Sequence, residues 1–153
     1  AVMADYIRRS LLIKKAYIEK DEFDKGPRNI FNYGHSFGHA IEAATNFAIP
    51  HGIAVTIGMD MANYLSWRLG KGGEDNFRRM HPVLRVNYTG FEGVEVPERS
   101  FLDALSKDKK NIGTGSATLI LVDTLGVVGK DNYQTDAAFA AHCRDFLDGE
   151  RQA

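Results

Sequence analysis

Apolar residues recur at helical spacing through most of this chain, and glycine or proline breaks the pattern at short intervals, which predicts several short helices. From Val2 to about Lys20 the residues Met3, Tyr6, Ile7, Leu11, Ile13, Tyr17 and Ile18 make one broad apolar stripe, closed by a turn ending at Gly26-Pro27. A second helix is expected from near Asn29 to Asn46, and a third from about Ile53 to Leu69, stopped by Gly70, Gly72 and Gly73. A fourth segment, Glu74 to Met80, should be interrupted at Pro82, while Pro97 is placed to start another helix over Glu98 to Lys107. Beyond Gly115 the pattern turns β-prone: Ala117 to Val122 and Val127-Val128, around a turn at Gly126, read as a small hairpin. Thr135 or Asp136 can cap a last helix whose stripe runs through Phe139, Cys143, Phe146 and Leu147. The fold class expected is mainly α, one multi-helical domain over residues 1–153 with a small β-hairpin.

Charge and cysteine usage narrow the partners. Lysine and arginine number 19 against 20 acidic residues, a net charge of −1, so no broad field attracts a nucleic acid or an anionic membrane. The one cysteine, Cys143, has no internal disulfide partner, and neither a long apolar run nor a cleavable signal pattern is present, which points to a cytoplasmic setting. The chain opens on Ala1, already in helical periodicity and without a capping residue, so it is expected to begin partway through a larger protein.

The passage with most chemistry is Arg28 to Glu42 followed by Pro50-His51-Gly52, which holds three of the five histidines. His35 and His39 are four apart and leave one helix face, and Glu42 continues that face. Gly34 and Gly38 are also four apart, and each glycine inside a helix costs about 1 kcal/mol relative to alanine, so another backbone or a ligand is expected close by. A short link lets the next helix run antiparallel and return His51 beside His35. Imidazoles so placed can share a metal such as zinc or a common ligand, or be hydrogen-bonded residues of an ordinary core; spacing alone supplies no third ligand. The HExxH pattern is not met, because Ser36 stands where its glutamate would be.

Two single cations and a lysine cluster add to this passage. Along Ile7, Leu11, Lys14 and Ile18 only Lys14 is polar, so it occupies a phase expected to be buried, where a lysine snorkels or meets an anion. Arg28 precedes a helix, where its charge gains nothing from the helix dipole; it suits a carboxylate or phosphate, or an ion pair with Asp21, Glu22 or Asp24. Lys107, Lys109 and Lys110 flank Asp108 and read from charge alone as a solvated helix end. His81 and His142 have no partner pattern.

Arg28 to Glu42, with His51-Gly52 and the run to Met59, resembles the C-terminal domain of dehydroquinate synthase and related sugar phosphate cyclases, whose motif runs RxxLNxGHTxGHAIE and then HGExVAxGM. Lys14 with Asp21-Glu22 fits the family's KxxxxxxDE segment, and Asp108 to Lys110 fits its DKK. The resemblance implies that His35 and His51 bind a catalytic Zn2+, or Co2+ or another divalent metal, with a glutamate upstream of Lys14 as third ligand. It implies that Lys14, Arg28, Asn32, His39 and Lys109 or Lys110 contact a sugar phosphate, Lys14 and His39 with catalytic roles.

In such an enzyme bound NAD is a recycled oxidant, phosphate is eliminated, and the ring recloses by an intramolecular aldol step. NAD sits mainly on an N-terminal domain outside these residues, and no Rossmann fingerprint occurs here, so the isolated chain is expected to be inactive. Family members are commonly homodimers. Ile53 replaces the glutamate of HGE and Ser36 the usual threonine, so the substrate class is set more firmly than the substrate, with 3-dehydroquinate synthesis as the named activity. Two other readings compete: a relative of the iron- or zinc-dependent alcohol and glycerol-1-phosphate dehydrogenases, and a non-catalytic fragment.

Overall fold

The stripe at the start of the chain becomes α1 (Val2–Lys20) in the computed structural model, which describes residues 2–107 and 115–153. The chain divides into two units, Ala1–Phe31 and Asn32–Ala153. In the first, the Asp21 carboxylate accepts backbone N–H groups from Lys25 (2.9 Å), Gly26 (2.7 Å) and Arg28 (3.1 Å) and so ties the turn after α1. Those backbone donors hold the Asp21 carboxyl below the usual carboxylate range. Phe31 meets Tyr17 edge-on, with ring centroids 5.1 Å apart.

The expected burial of Lys14 is not found: Lys14 is exposed, as are Ile7 and Leu11, and only Tyr17 and Ile18 of α1 are half-buried. Periodicity marks a face able to pack but does not supply its cover. Within this unit the turn folds back only as far as the last turns of α1.

The second unit begins with a correction. The helix expected from Asn29 starts instead as a 3₁₀ turn, Pro27–Asn32, and α2 proper covers His35–Ala44. The break falls at Gly34, whose φ of 78° is left-handed, a conformation that glycine adopts without a Cβ clash. After a tight link, α3 (His51–Arg68) starts on Pro50. It is followed by α4 (Glu74–Val86), α5 (Glu98–Lys107), β1 (Ser116–Val122), β2 (Val128–Gln134) and α6 (Ala137–Arg144), which runs on into a π-helical turn, Asp145–Glu150. Asp136 caps α6 by accepting the Phe139 N–H at 2.9 Å.

Two further expectations give way to packing. Pro82 does not interrupt α4, because Phe77 is fully buried against the Tyr64 and Trp67 rings and anchors the helix across the lost hydrogen bond. The hairpin's second strand extends to Gln134 through a polar stretch of low β-propensity; antiparallel pairing from Val122–Val128 to Ser116–Gln134 gives it a partner. The inner strand, β1, carries the buried residues Leu119 and Leu121.

Helix α3 is the centre of this unit, buried from Ala54 through Ser66 on nearly every face and packed against α2, α4, α6 and β1. Phe101, Phe139 and Phe146 close the core around it. Arg151, fully buried, ties the end of the chain by donating to the carbonyls of Leu147 (3.1 Å), Phe91 (3.2 Å) and Val94 (2.8 Å).

The crossing of α2 and α3 is the tightest contact. A Cβ on Gly58 would lie 2.1 Å from the Gly34 carbonyl oxygen, one on Gly34 2.6 Å from the Met59 nitrogen, and one on Gly38 2.9 Å from the Val55 Cα. Gly58→Ala is therefore expected to cost about 3 kcal/mol through overpacking that no rotamer change can relieve. Gly52→Ala, also in α3 but meeting nothing within 4 Å, serves as the control in urea unfolding and should be at least as stable as the unaltered chain; equal midpoints for the two variants would refute the backbone contact.

Candidate metal centre

The glycine crossing sets the antiparallel register of α2 and α3. Gly34 faces Met59 and Gly38 faces Val55, so one helical turn further on Glu42 meets His51. The link that returns the chain places Asn46 (φ 49°) and Phe47 (φ 61°) both in the left-handed region, with the Phe47 N–H donating to the Glu42 carbonyl at 2.8 Å. His35 opens α2, His39 lies one turn along it, and His51 opens α3.

The three rings consequently form a triangle: centroids are 5.8 Å apart for His35 and His39, 5.8 Å for His35 and His51, and 5.6 Å for His39 and His51. His39 and His51 are exposed and His35 is half-buried, while Glu42 is buried behind them.

Hydrogen bonding distinguishes the rings. His51 Nδ1 is 3.2 and 3.3 Å from the two Glu42 carboxylate oxygens, and His35 Nδ1 is 3.3 Å from the Tyr33 carbonyl oxygen. A carbonyl oxygen only accepts, and a carboxylate accepts likewise, so each of these hydrogen bonds requires the proton on Nδ1, the tautomer that leaves the Nε2 lone pair free. Two imidazoles in that tautomer, close together on an open face, fit a borderline divalent cation such as Zn2+. The candidate ligand atoms of His39, Glu42 and His51 also lie within 4.8 Å of one another. A cation taking Glu42 there would have to displace the carboxylate from His51 Nδ1.

The other residues singled out in the sequence are distributed differently. Asn32 is half-buried at the end of the 3₁₀ turn. Lys14 and Arg28 belong to the first unit, where the Arg28 guanidinium donates to the Glu22 carbonyl at 2.8 Å. Lys109 and Lys110 lie outside the described residues. A separate cavity of about 220 Å3, lined by residues including Tyr33, Met59, Asn63, Arg79 and Val122, has no histidine or carboxylate in its wall and so offers neither ligands nor an acid–base pair.

Two solved structures of 2-deoxy-scyllo-inosose synthase, one complexed with carbaglucose-6-phosphate, NAD+ and Co2+, share this fold. They cover 83% and 84% of the chain with TM-scores of 0.66 and 0.68, at 21% and 23% identity. The chain thus shares the fold of the corresponding 36% of each of those enzymes. Residues 1–111 match the family described as 3-dehydroquinate synthase C-terminal, and the chain belongs to that family.

It is 38% identical over 136 residues to the 3-dehydroquinate synthase of Campylobacter curvus, covering 88% of this chain and 39% of that protein. The enzyme of Idiomarina loihiensis is 35% identical over 147 residues, covering 94% of this chain and 41% of its own length. The chain therefore spans about two fifths of these relatives.

Sequence reasoning missed two features. Glu42 was visible on the histidine face, yet its contact with His51 depends on the returning helix. The other is a buried polar cluster on α3: the Asp60 Oδ2 accepts from Tyr88 (2.7 Å) and sits 2.7 Å from His81 Nδ1, while Asn63 Oδ1 accepts from Tyr33 (2.6 Å) and Asn76 (3.0 Å). Its only sequence signal was polar residues at Asp60 and Asn63 within the apolar run of α3.

Burial raises the Asp60 carboxyl above its ordinary range, although the hydrogen bonds from Tyr88 and His81 oppose the shift. A raised acid binds its proton more tightly in the folded state. Its contribution to stability is full below an unfolded value of about 3.9 and is lost as pH rises through the folded value. Asp60→Asn should therefore lose less stability, or gain more, than the unaltered chain as pH rises above about 4. Urea unfolding across that range would give parallel profiles for both proteins if Asp60 were not the responsible group.

Proposed function

We propose that this chain is the metal- and substrate-binding part of an NAD-dependent sugar phosphate cyclase, and that the whole protein is a 3-dehydroquinate synthase, a phosphate-releasing carbon–oxygen lyase of aromatic amino-acid biosynthesis. The observation that carries the reading is the convergence of His35, His39 and His51, with Nδ1 of His35 and of His51 held by oxygen acceptors. Membership of the family and the 38% identity to a named 3-dehydroquinate synthase support it.

In this reading His35 and His51 hold the divalent cation through Nε2, with a third ligand from the part of the family's length that these residues do not span. When bound, Zn2+ or Co2+ supplies Lewis acidity toward a substrate hydroxyl and the ketone derived from it. NAD belongs to the N-terminal domain of the whole protein. His39, exposed beside both ligands, is the group to accept or return a proton or to hold the phosphate. Lys14, Arg28 and Asn32 are assigned to the substrate by their motif positions, the two cations to its anionic groups and Asn32, with His39, to its phosphate or to proton relay. Lys109 and Lys110 are assigned in the same way. Soluble cytoplasmic operation, as a dimer, completes the proposal; no described helix is long and apolar enough to cross a membrane.

The test is phosphate release from a heptulosonate phosphate by the whole protein supplied with NAD. His35→Ala and His51→Ala should each remove most of the bound metal and lower turnover at least about a hundredfold, while His39→Ala should lower turnover with metal content retained. Net NADH formation without phosphate release would instead identify an alcohol or glycerol-1-phosphate dehydrogenase type of enzyme. Unchanged metal content and turnover in His35→Ala would overturn the reading.

A further inference from the structure

Glu42 belongs to neither the ligand pair nor the substrate contacts, yet its carboxylate is buried beside His51, with the residue at 7% exposure. We infer that Glu42 is a positioning residue: it accepts the Nδ1–H of His51, locks that ring in the tautomer with a free Nε2, and so directs a divalent cation to Nε2. The inference deepens the metal reading above and rests on it.

Three observations converge on this role. Both carboxylate oxygens lie at hydrogen-bonding distance from one ring nitrogen, 3.2 and 3.3 Å, an arrangement that restrains the ring's orientation as well as its proton. Glu42 is held by the fold and His51 is not: the Glu42 side chain is 10% exposed and that of His51 58% exposed. An exposed imidazole at the start of a helix has rotamers to lose, and a fixed acceptor removes them before a cation arrives. Finally, Glu42 lies one helical turn beyond the close Gly38–Val55 contact, so the α2–α3 register that this contact fixes sets where its carboxylate sits.

The rival arrangement makes Glu42 a ligand together with His39 and His51, whose atoms lie within 4.8 Å of one another. The two differ in which nitrogen of His51 the cation takes. With Glu42 positioning, the cation binds Nε2 and Nδ1 keeps its proton; with Glu42 ligating beside Nδ1, the cation takes Nδ1 and the ring proton resides on Nε2.

The experiment uses the whole protein labelled with 15N-histidine, read by two-bond proton–nitrogen correlations without metal and then with Zn2+, alongside Zn2+ affinity by competition with a chromophoric chelator. The inference expects His51 to be Nδ1-protonated without metal and to bind Zn2+ at Nε2. Glu42→Ala should yield a tautomer mixture and weaken Zn2+ binding by about 10–100-fold. Glu42→Gln, whose amide oxygen still accepts the Nδ1–H, should restore most of both, and circular dichroism checks that each variant is folded. Zn2+ at Nδ1, an unchanged tautomer in Glu42→Ala, or a loss in Glu42→Gln equal to that in Glu42→Ala would overturn the positioning role. A His51→Ala chain with undiminished Zn2+ affinity would instead bring down the metal reading itself, and the inference with it.

Discussion

The backbone contact between α2 and α3 determines the geometry on which the site depends. Where Gly34, Gly38 and Gly58 meet Met59, Val55 and the Gly34 carbonyl, no side chain fits between the two helices. That closeness fixes both the separation and the register of the pair. A helix rises about 5.4 Å per turn, so a register fixed at Gly38 and Val55 leaves little freedom at Glu42 and His51, one turn away. The glycines, which lower helix propensity, are thus used where a short distance between helices matters more than local stability.

From that register the chemistry follows by local rules. A buried carboxylate and a backbone carbonyl each meet the Nδ1 side of an imidazole, and because neither can donate, the proton positions of His51 and His35 follow. The His51 ring itself is exposed and the His35 ring half-buried. The Asp60 cluster makes the opposite use of polar groups: it is closed off within α3, α4 and the loop that carries Tyr88, and it gives an otherwise apolar core directional contacts.

Much of this was readable from the residues. The helices at Val2–Lys20 and Glu98–Lys107, the hairpin, the Asp136 cap and the stripe of Phe139, Cys143, Phe146 and Leu147 follow from period and capping chemistry that act over a few residues. The resemblance to the cyclase motif rests on the same local string, with histidines at spacings that no other part of the chain repeats. The break at Gly34, the passage of α4 through Pro82 and the length of β2 were not readable, because each is decided by a partner distant in sequence.

The sequence by itself determined a mainly helical chain with a histidine-rich family motif, since helical period, caps and spacing are local properties of the string. Only the tertiary structure decided that His51 returns to His35 and His39 and that Glu42 supplies the acceptor behind it. It also decided that the apolar phase carrying Lys14 lies exposed within its own unit. Those outcomes depend on how closely two helices approach and on which surfaces find a cover, and distances between segments far apart in the chain are set by packing rather than by residue order.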